Sequence, residues 1–500
     1  MLVANRGEIA VRIIQGLREM GIASVAVHSE VDRAALHVLM ADEAVAIGPA
    51  PAGESYLVGE RVIAAALATG AEAIHPGYGF LSENGPFSRA VEAAGLVFIG
   101  PTAETMEIMG DKLSARRRMI AAGVPVVPGT EEAVTDPDEA VAVAERIGYP
   151  VLLKASAGGG GKGMRVVRTA DAMAAALRQT RGEAGASFAN DAVFVEKYIE
   201  DPKHIEVQVL GDGTGNVIHV FERECSVQRR HQKVIEESPS PSLTPGLRES
   251  ICAAAVQTAA AVRYRGAGTV EFILAPDGGF YFLEMNTRLQ VEHPVTEMVT
   301  GTDLVRAMVL IAQGDGLCWR QEDLVQRGWA MEFRLYAEDP ARGFAPSVGR
   351  IAALTVPLGP GVRLDTGVYE GYEVPIHYDP MLAKLVVWAE DRALCIARAR
   401  RVLGEFVLHG PVHNLPFHLW ALDQPAFVDG SYTTHFVADC FDPGNWLPPL
   451  DGERQTALIA AAALFEAQRR AEHEVSPPEG RTCDASNWRR SALRRMTGNS

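Results

Sequence analysis

Residues 269–286, TVEFILAPDGGFYFLEMN, constrain the fold more tightly than any other stretch of the chain. Asp277-Gly278 between two β-prone runs is a strong signal for a two-residue type I′ turn, because both central positions need φ > 0. With that turn, Pro276 pairs with Gly279, Glu271 faces Glu284 and Thr269 faces Asn286. One face then carries Val270, Phe272, Leu274, Tyr281, Leu283 and Met285 and packs on a core. The other carries Glu271, Glu284 and Asn286. Opposed Cβ atoms lie ~5 Å apart, where like charges repel. Two carboxylates and an amide oxygen suit a hard divalent cation, Mg²⁺ (or Mn²⁺), which removes the repulsion. A solvated strand face with two glutamates repelling through water fits the same pattern, and a one-residue bulge would undo the pairing.

The same parity continues through Arg288, Gln290 and Glu292, with Leu289 and Val291 on the other side. If this stretch is extended, one edge offers metal ligands, then a cation, an amide and a carboxylate. Arg288 can fork onto a planar anion, and Glu292 beside it can act as a general base.

A second anion-binding element is Gly158 to Gly163, following the strand-like VLLKAS. Successive glycines let backbone N–H groups approach an anion closely. Lys162 is followed by Gly163 rather than Ser or Thr, so this is no Walker A loop, and a plain linker is the alternative. Lys154, just before the run, can add a point charge to a phosphate. Arg229, Arg230, His231 and Lys233 cluster in SVQRRHQK, which also suits an ordinary surface. Cys225 before them reads as a small buried residue rather than a nucleophile.

Around these segments the chain is organised as a multidomain α/β and α+β protein. The first hundred residues alternate strands (2–5, 24–29, 73–75, 96–99) with helices ending near Gly21, Gly70 and Gly95, a doubly wound pattern. The turn after the first strand, Asn5-Arg6-Gly7-Glu8, lacks GxGxxG and gives little support to a dinucleotide site. The first strand is short, as if the chain started late. Residues 102–122 read as one helix. Strand patterns dominate 193–285 and 329–388, and a helix follows at 392–406. The tail has an Ala-rich helix at 453–470, then a Pro- and Gly-containing linker and an Arg-rich end.

The 500 residues suffice for about three domains. A net charge of −16 argues against a nucleic-acid partner. Six cysteines without a CxxC pair suit free thiols in a reducing compartment, and neither a signal peptide nor an apolar run long enough for a membrane span is present. A cytoplasmic enzyme is expected.

VANRGEIAVRII, HPGYGFLSEN, MGDKLSAR, LLKASAGGGGKGMRVV, HIEVQVL, ERECSVQRRHQKVIEE, EFILAPDGGFYFLEMNTRLQVEHPVTE, EFRLYAEDP and YDPMLAKL together resemble the signature stretches of biotin carboxylases, in family order from residue 1 to about 440. The resemblance implies an N-terminal Rossmann-like domain (1–110), an ATP-grasp domain (111–310) with a mobile lid (131–203), a C-terminal mixed α+β domain (328–440) and a helical tail (445–500). It implies that ATP and bicarbonate form carboxyphosphate, whose CO₂ passes to N1 of biotin on a carrier protein. ATP contacts are implied for Lys112, Lys154, Gly159, Gly160, Gly161, Lys162, Gly163 and Met164, and for Glu196, Lys197, His204, Gln228 and His231. Glu271, Glu284 and Asn286 resemble the metal ligands. Lys233, Arg288, Gln290, Val291 and Glu292 resemble the bicarbonate pocket, with Arg288 catalytic and Glu292 as base. Arg334 resembles the residue that stabilises the biotin enolate.

The chain lacks an Ala-Met-Lys-Met biotinylation motif. Biotin is therefore expected on a carrier protein or domain of another chain, or the chain is shortened. A carboxyltransferase subunit is the further partner implied, and a homodimer is a state the family often adopts. The competing readings are another ATP-grasp ligase and an inactive scaffold subunit; the stretch holding both Arg288 and Glu292 speaks against the first, the intact charged set against the second.

Overall fold

The structure is a computed structural model that describes residues 1–155, 163–188, 191–446 and 452–474. Short apolar strands hidden on both faces favour parallel pairing between helices. Leu2–Val3, Val25–Ser29 and Ala73–His75 are buried throughout and form the middle of a five-stranded sheet, in the order Glu43–Gly48, Val25–Ser29, Leu2–Val3, Ala73–His75, Val97–Phe98, every neighbour parallel. This is the doubly wound layer expected from the first hundred residues. Its helix Gly7–Glu19 buries Ile9, Ile13, Ile14 and Leu17 in one apolar cluster with Leu304, Val305 and Met308 of the helix Leu304–Gln313.

The single helix expected at 102–122 is two helices, Ala103–Gly110 and Lys112–Ala121. Asp111 leaves the helical region, and its carboxylate accepts from Ser114 N at 2.7 Å, capping the second helix. Lys112 thereby starts a helix instead of lying inside one.

An antiparallel sheet of eight strands forms the centre. Its order is Phe280–Asn286, Arg265–Leu274, Lys203–Asp212, Val217–Arg229, Gln232–Ser238, Trp329–Tyr336, Met381–Ala389, Val362–Thr366. One sheet thus spans segments from residue 203 to residue 389. The helix Pro245–Ala261 covers one face through Ile251, Cys252 and Ala255, which cluster with Val207, Val270 and Phe272. The opposite face carries the charged residues considered below.

A smaller sheet pairs Met164–Val167, Val151–Ala155 and Val193–Lys197. The helices Pro137–Ile147 and Met173–Phe188 share a separate core with it. The helix Arg392–Glu405 lies against Met381–Ala389.

Residues 445–500 form a second unit. Beyond residue 446 its described part is the helix Gly452–Glu474, with Ile459, Leu464 and Phe465 exposed. The linker and Arg-rich end expected after it lie outside the described residues. Among the described residues no helix is long and apolar enough to cross a membrane.

Candidate active site

The carboxylate pairing predicted for the hairpin is present, reached by another route. Glu271 pairs with Glu284, and Thr269 with Asn286. The turn, however, spans three residues. Ala275 N donates to Gly279 O at 2.8 Å, Gly278 N donates to Ala275 O at 3.0 Å, and Gly278 takes φ +87°. The register is thereby offset, so that Leu274 pairs with Phe280 and Phe272 with Phe282, until a bulge at Leu283 restores it. Phe282 therefore joins Phe272 and Met285 in the core, whereas Tyr281 and Leu283, expected there, do not.

The extended edge expected beyond Asn286 is also corrected. Residues 287–292 form a loop, and Glu292 immediately precedes the helix His293–Thr300, whose first turn holds Pro294.

Sheet register builds the site. Glu284, Glu271 and Glu206 stand side by side on three strands, and Glu206 pairs with Arg223 on a fourth. Two buried carboxylates, Glu206 and Glu271, beside the half-buried Glu284 need cations. Lys233 Nζ donates to Glu271 Oε1 at 3.0 Å and to Glu292 Oε1 at 2.8 Å, and also pairs with Glu206. His204 Nε2 lies 3.0 Å from both Glu206 and Glu271, off the line of a hydrogen bond, with the Gln228 amide 3.0 Å from its Nδ1. Burial alone would lower the His204 pKa; Glu271 and Glu206 outweigh it and raise it to about 10. Burial would raise the Glu206 carboxyl, but Lys233 and His204 bring it down to about 2.

Glu292 is 1% exposed and sits between two cations. Lys233 holds one oxygen, and Arg334 donates to the other at 2.8 Å while also binding Glu236 Oε1 through Nε at 2.6 Å. Burial and Glu206 push the Glu292 carboxyl up; Lys233, Arg334 and Arg223 prevail and hold it below its usual range.

Arg288 leaves the same loop toward Glu83, to which its Nε donates at 2.9 Å. Its terminal nitrogen donates to Asn286 Oδ1 at 2.8 Å, and Asn286 Nδ2 donates to Glu271 Oε1 at 2.6 Å. Gln290 Nε2 reaches the same Glu271 oxygen at 2.8 Å. The Val291 carbonyl accepts from Lys384 Nζ at 2.9 Å.

The fit of a divalent cation can be judged from Glu284. Burial and the facing Glu271 push its carboxyl up, and Lys112 and Lys154 pull it down. Burial and a facing carboxylate both disfavour the ionised form of Glu284, which a cation would stabilise, so Glu271, Glu284 and the Asn286 oxygen fit the group. The tighter sets His204–Glu206–Glu271 and Glu206–Cys225–Glu292 fit it less well, because Lys233 already binds three of their carboxylates.

On the other side of Glu284, a cleft is lined by Met106, Met109, Lys112, Leu283, Glu284 and Asn286. Lys154 Nζ lies 3.6 Å from Glu196, whose second oxygen accepts from Arg116 at 3.0 Å. Met164 pairs with Lys154 across the small sheet, and Gly163, φ +70°, accepts from Ala155 N. Gly159, Gly160, Gly161 and Lys162 lie outside the described residues. Two expected contacts point elsewhere. Lys197 Nζ is tied to the Gly148 and Tyr149 carbonyls, 3.0 Å each, and His231 is exposed on a tight hairpin tip at φ +66°.

Sequence reasoning missed Arg223, which is fully buried. It donates to Gln290 Oε1 at 2.5 Å, to Thr269 at 3.0 Å and to Gln208 at 2.9 Å. Glu222-Arg223-Glu224 sets three charges in the middle of a strand, a local oddity that names no partner. Glu83, also missed, lies in the HPGYGFLSEN stretch.

Three family models cover nearly all of the first 440 residues. They are the biotin carboxylase N-terminal domain (1–106), the carbamoyl-phosphate synthase L chain ATP-binding domain (111–319) and the biotin carboxylase C-terminal domain (332–439). The chain is 52% identical to a biotin carboxylase of Nostoc sp. over 439 residues, 88% of this chain and 98% of that protein. This chain belongs to the biotin carboxylase family. It is also 50% identical to a propionyl-CoA carboxylase alpha chain of Ruegeria pomeroyi (92% of this chain, 71% of the relative) and 51% identical to a pyruvate carboxylase subunit of Methanothermobacter thermautotrophicus (87% and 89%). Among solved structures it resembles a nucleotide complex of Campylobacter jejuni biotin carboxylase, with TM-score 0.84, 46% identity, and 88% and 98% of the two chains covered. The biotin carboxylase domain dimer of Hydrogenobacter thermophilus 2-oxoglutarate carboxylase, bound to MgADP, ADP and bicarbonate, matches with TM-score 0.84, 46% identity, and 90% and 98% coverage.

Proposed function

We propose that this biotin carboxylase family member uses ATP to carboxylate biotin with bicarbonate, and that the residues around Glu292 carry the reaction. The observation behind it is the pair of 2.8 Å contacts that hold the Glu292 carboxylate between Lys233 and Arg334. Bicarbonate is a poor electrophile until it is phosphorylated. Glu292, kept ionised, accepts the bicarbonate proton, so that the freed oxygen attacks the γ-phosphorus and ADP leaves. Lys233, Arg288 and Gln290 orient the anion, and Lys112 and Lys154 meet the charge gathering on phosphoryl oxygens. A divalent cation on Glu271, Glu284 and Asn286 would neutralise part of that charge when bound. Asn286 must then release Arg288, because its oxygen faces that guanidinium here. In the second step carboxyphosphate splits into CO₂ and phosphate, the phosphate takes the N1 proton of biotin, and Arg334 stabilises the resulting enolate oxygen as N1 bonds to CO₂.

The small sheet and its two helices, within residues 131–203, serve as the lid. The relatives named above take their names from different acceptors, propionyl-CoA and pyruvate. The half-reaction on biotin is what they share, and the acceptor is chosen on a carboxyltransferase partner. Biotin comes on a carrier protein or domain, and two copies of the chain pair as a homodimer.

ATP cleavage that requires bicarbonate and rises with free biotin tests the reading. Arg334→Ala should abolish the biotin-dependent part; cleavage indifferent to bicarbonate would refute it.

A further inference from the structure

The loop 287–292 belongs to no strand, and two side chains hold its carbonyls from behind. His293 Nδ1 lies 2.8 Å from Gln290 O, and Lys384 Nζ donates to Val291 O at 2.9 Å. Both side chains are 0% exposed. A carbonyl only accepts, so His293 carries its proton on Nδ1, and burial keeps the ring neutral. In a trans peptide the N–H points opposite to the C=O. Fixing the Gln290 and Val291 carbonyls therefore aims the N–H groups of Val291 and Glu292 to the other side. Consecutive N–H groups presented together form an anion-binding concavity.

The Lys384 ammonium is held for this task at some cost, since a buried charge needs partners. It stands 3.2 Å from Glu8 Oε2, at the start of the first helix, and 3.6 Å from Asp365 Oδ2, on the edge strand. Glu332, buried with neither oxygen hydrogen-bonded, lies one strand over. Three separate segments, carrying Glu8, Asp365 and Lys384, thus converge behind one peptide of the bicarbonate loop.

We propose that Lys384 is a positioning residue for bicarbonate: by gripping the Val291 carbonyl it turns the Val291 and Glu292 N–H groups toward the anion and holds Glu292 in place. The proposal rests on reading residues 288–292 as the bicarbonate pocket.

The test is bicarbonate-dependent ATP cleavage by the full chain, with KM measured separately for bicarbonate and for ATP. Lys384→Met is compared with Glu8→Gln/Lys384→Met, in which the buried charge stays balanced, and thermal melting reports the fold. Both variants should raise the bicarbonate KM at least tenfold while the ATP KM stays within twofold. Glu8→Gln alone, which keeps the grip on Val291, should leave the bicarbonate KM within threefold. A bicarbonate KM within twofold of the parent in the Lys384 variants, or a parallel rise for ATP, would overturn the proposal. Failure of the charge-balanced variant to fold would overturn it too, assigning Lys384 to stability alone. Arg288→Ala separates the two claims. If it raises the bicarbonate KM and the Lys384 variants do not, only the positioning role falls; if neither does, the pocket reading falls with it.

Discussion

Arg223 donates to Gln290 Oε1 at 2.5 Å, joining a strand of the central sheet to the loop that carries Glu292. Glu206, its neighbour on the adjoining strand, is also bound by Lys233, which in turn binds Glu292. The acidic row and the loop are therefore one electrostatic unit rather than two sites in proximity.

Removing Arg223 should show this. Arg223→Met takes the buried donor from Gln290 Oε1, Thr269 and Gln208 and removes one of the cations beside Glu206, and deleting one side of such a network typically costs ~3–5 kcal/mol. Urea melts should register a loss of that order. A change below ~1 kcal/mol would mean the guanidinium is dispensable to the row.

Glu292→Gln keeps the size of the side chain and removes the proposed base. A general base typically contributes ~10²–10⁴-fold, so bicarbonate-dependent turnover should drop at least a hundredfold while nucleotide binding persists. Single-turnover kinetics with labelled ATP would read both quantities in one experiment.

Glu284→Gln tests the cation site. ATP turnover should be lost with the fold intact, and Mn²⁺ titration followed by electron paramagnetic resonance in the presence of ADP should show weakened binding. Near-normal turnover would sink the ligand assignment.

Acid sensitivity should come from buried histidines. Burial lowers His37 to about 4, His75 to about 3 and His418 to about 4. Each binds a proton more readily unfolded than folded, so its contribution is complete above pH ~6.5 and fades as pH falls toward the folded value. By pH 5 each should have lost about 2 kcal/mol. His418 Nε2 stands 2.8 Å from the carbonyl of Arg334, the arginine proposed to act on biotin. His418→Gln should be less destabilising at pH 5 than at pH 7.5, measured by chemical denaturation at both.

Much of this site was legible in the sequence, for reasons that differ between residues. Period-2 alternation put Glu271 opposite Glu284 even though the turn is one residue longer than Asp-Gly suggests. The bulge at Leu283 cancels that error before the carboxylates are reached. Parity failed beyond Asn286, because Pro294 starts a helix and the chain must bend to meet it. Gly110-Asp111 interrupts a periodic apolar pattern, and only the cap made by Asp111 shows that the helix restarts at Lys112. Arg223 and Lys384 were beyond local reasoning. Their meaning depends on partners tens to hundreds of residues away, Gln290 for one and Glu8 and Val291 for the other.

The most direct test of the central claim is transfer of label. Purified chain, MgATP, ¹⁴C-bicarbonate and free biotin should yield acid-labile ¹⁴C on biotin in step with ADP release, and none with Arg334→Ala. ADP formation without label on biotin, under conditions where bicarbonate still stimulates cleavage, would contradict the account.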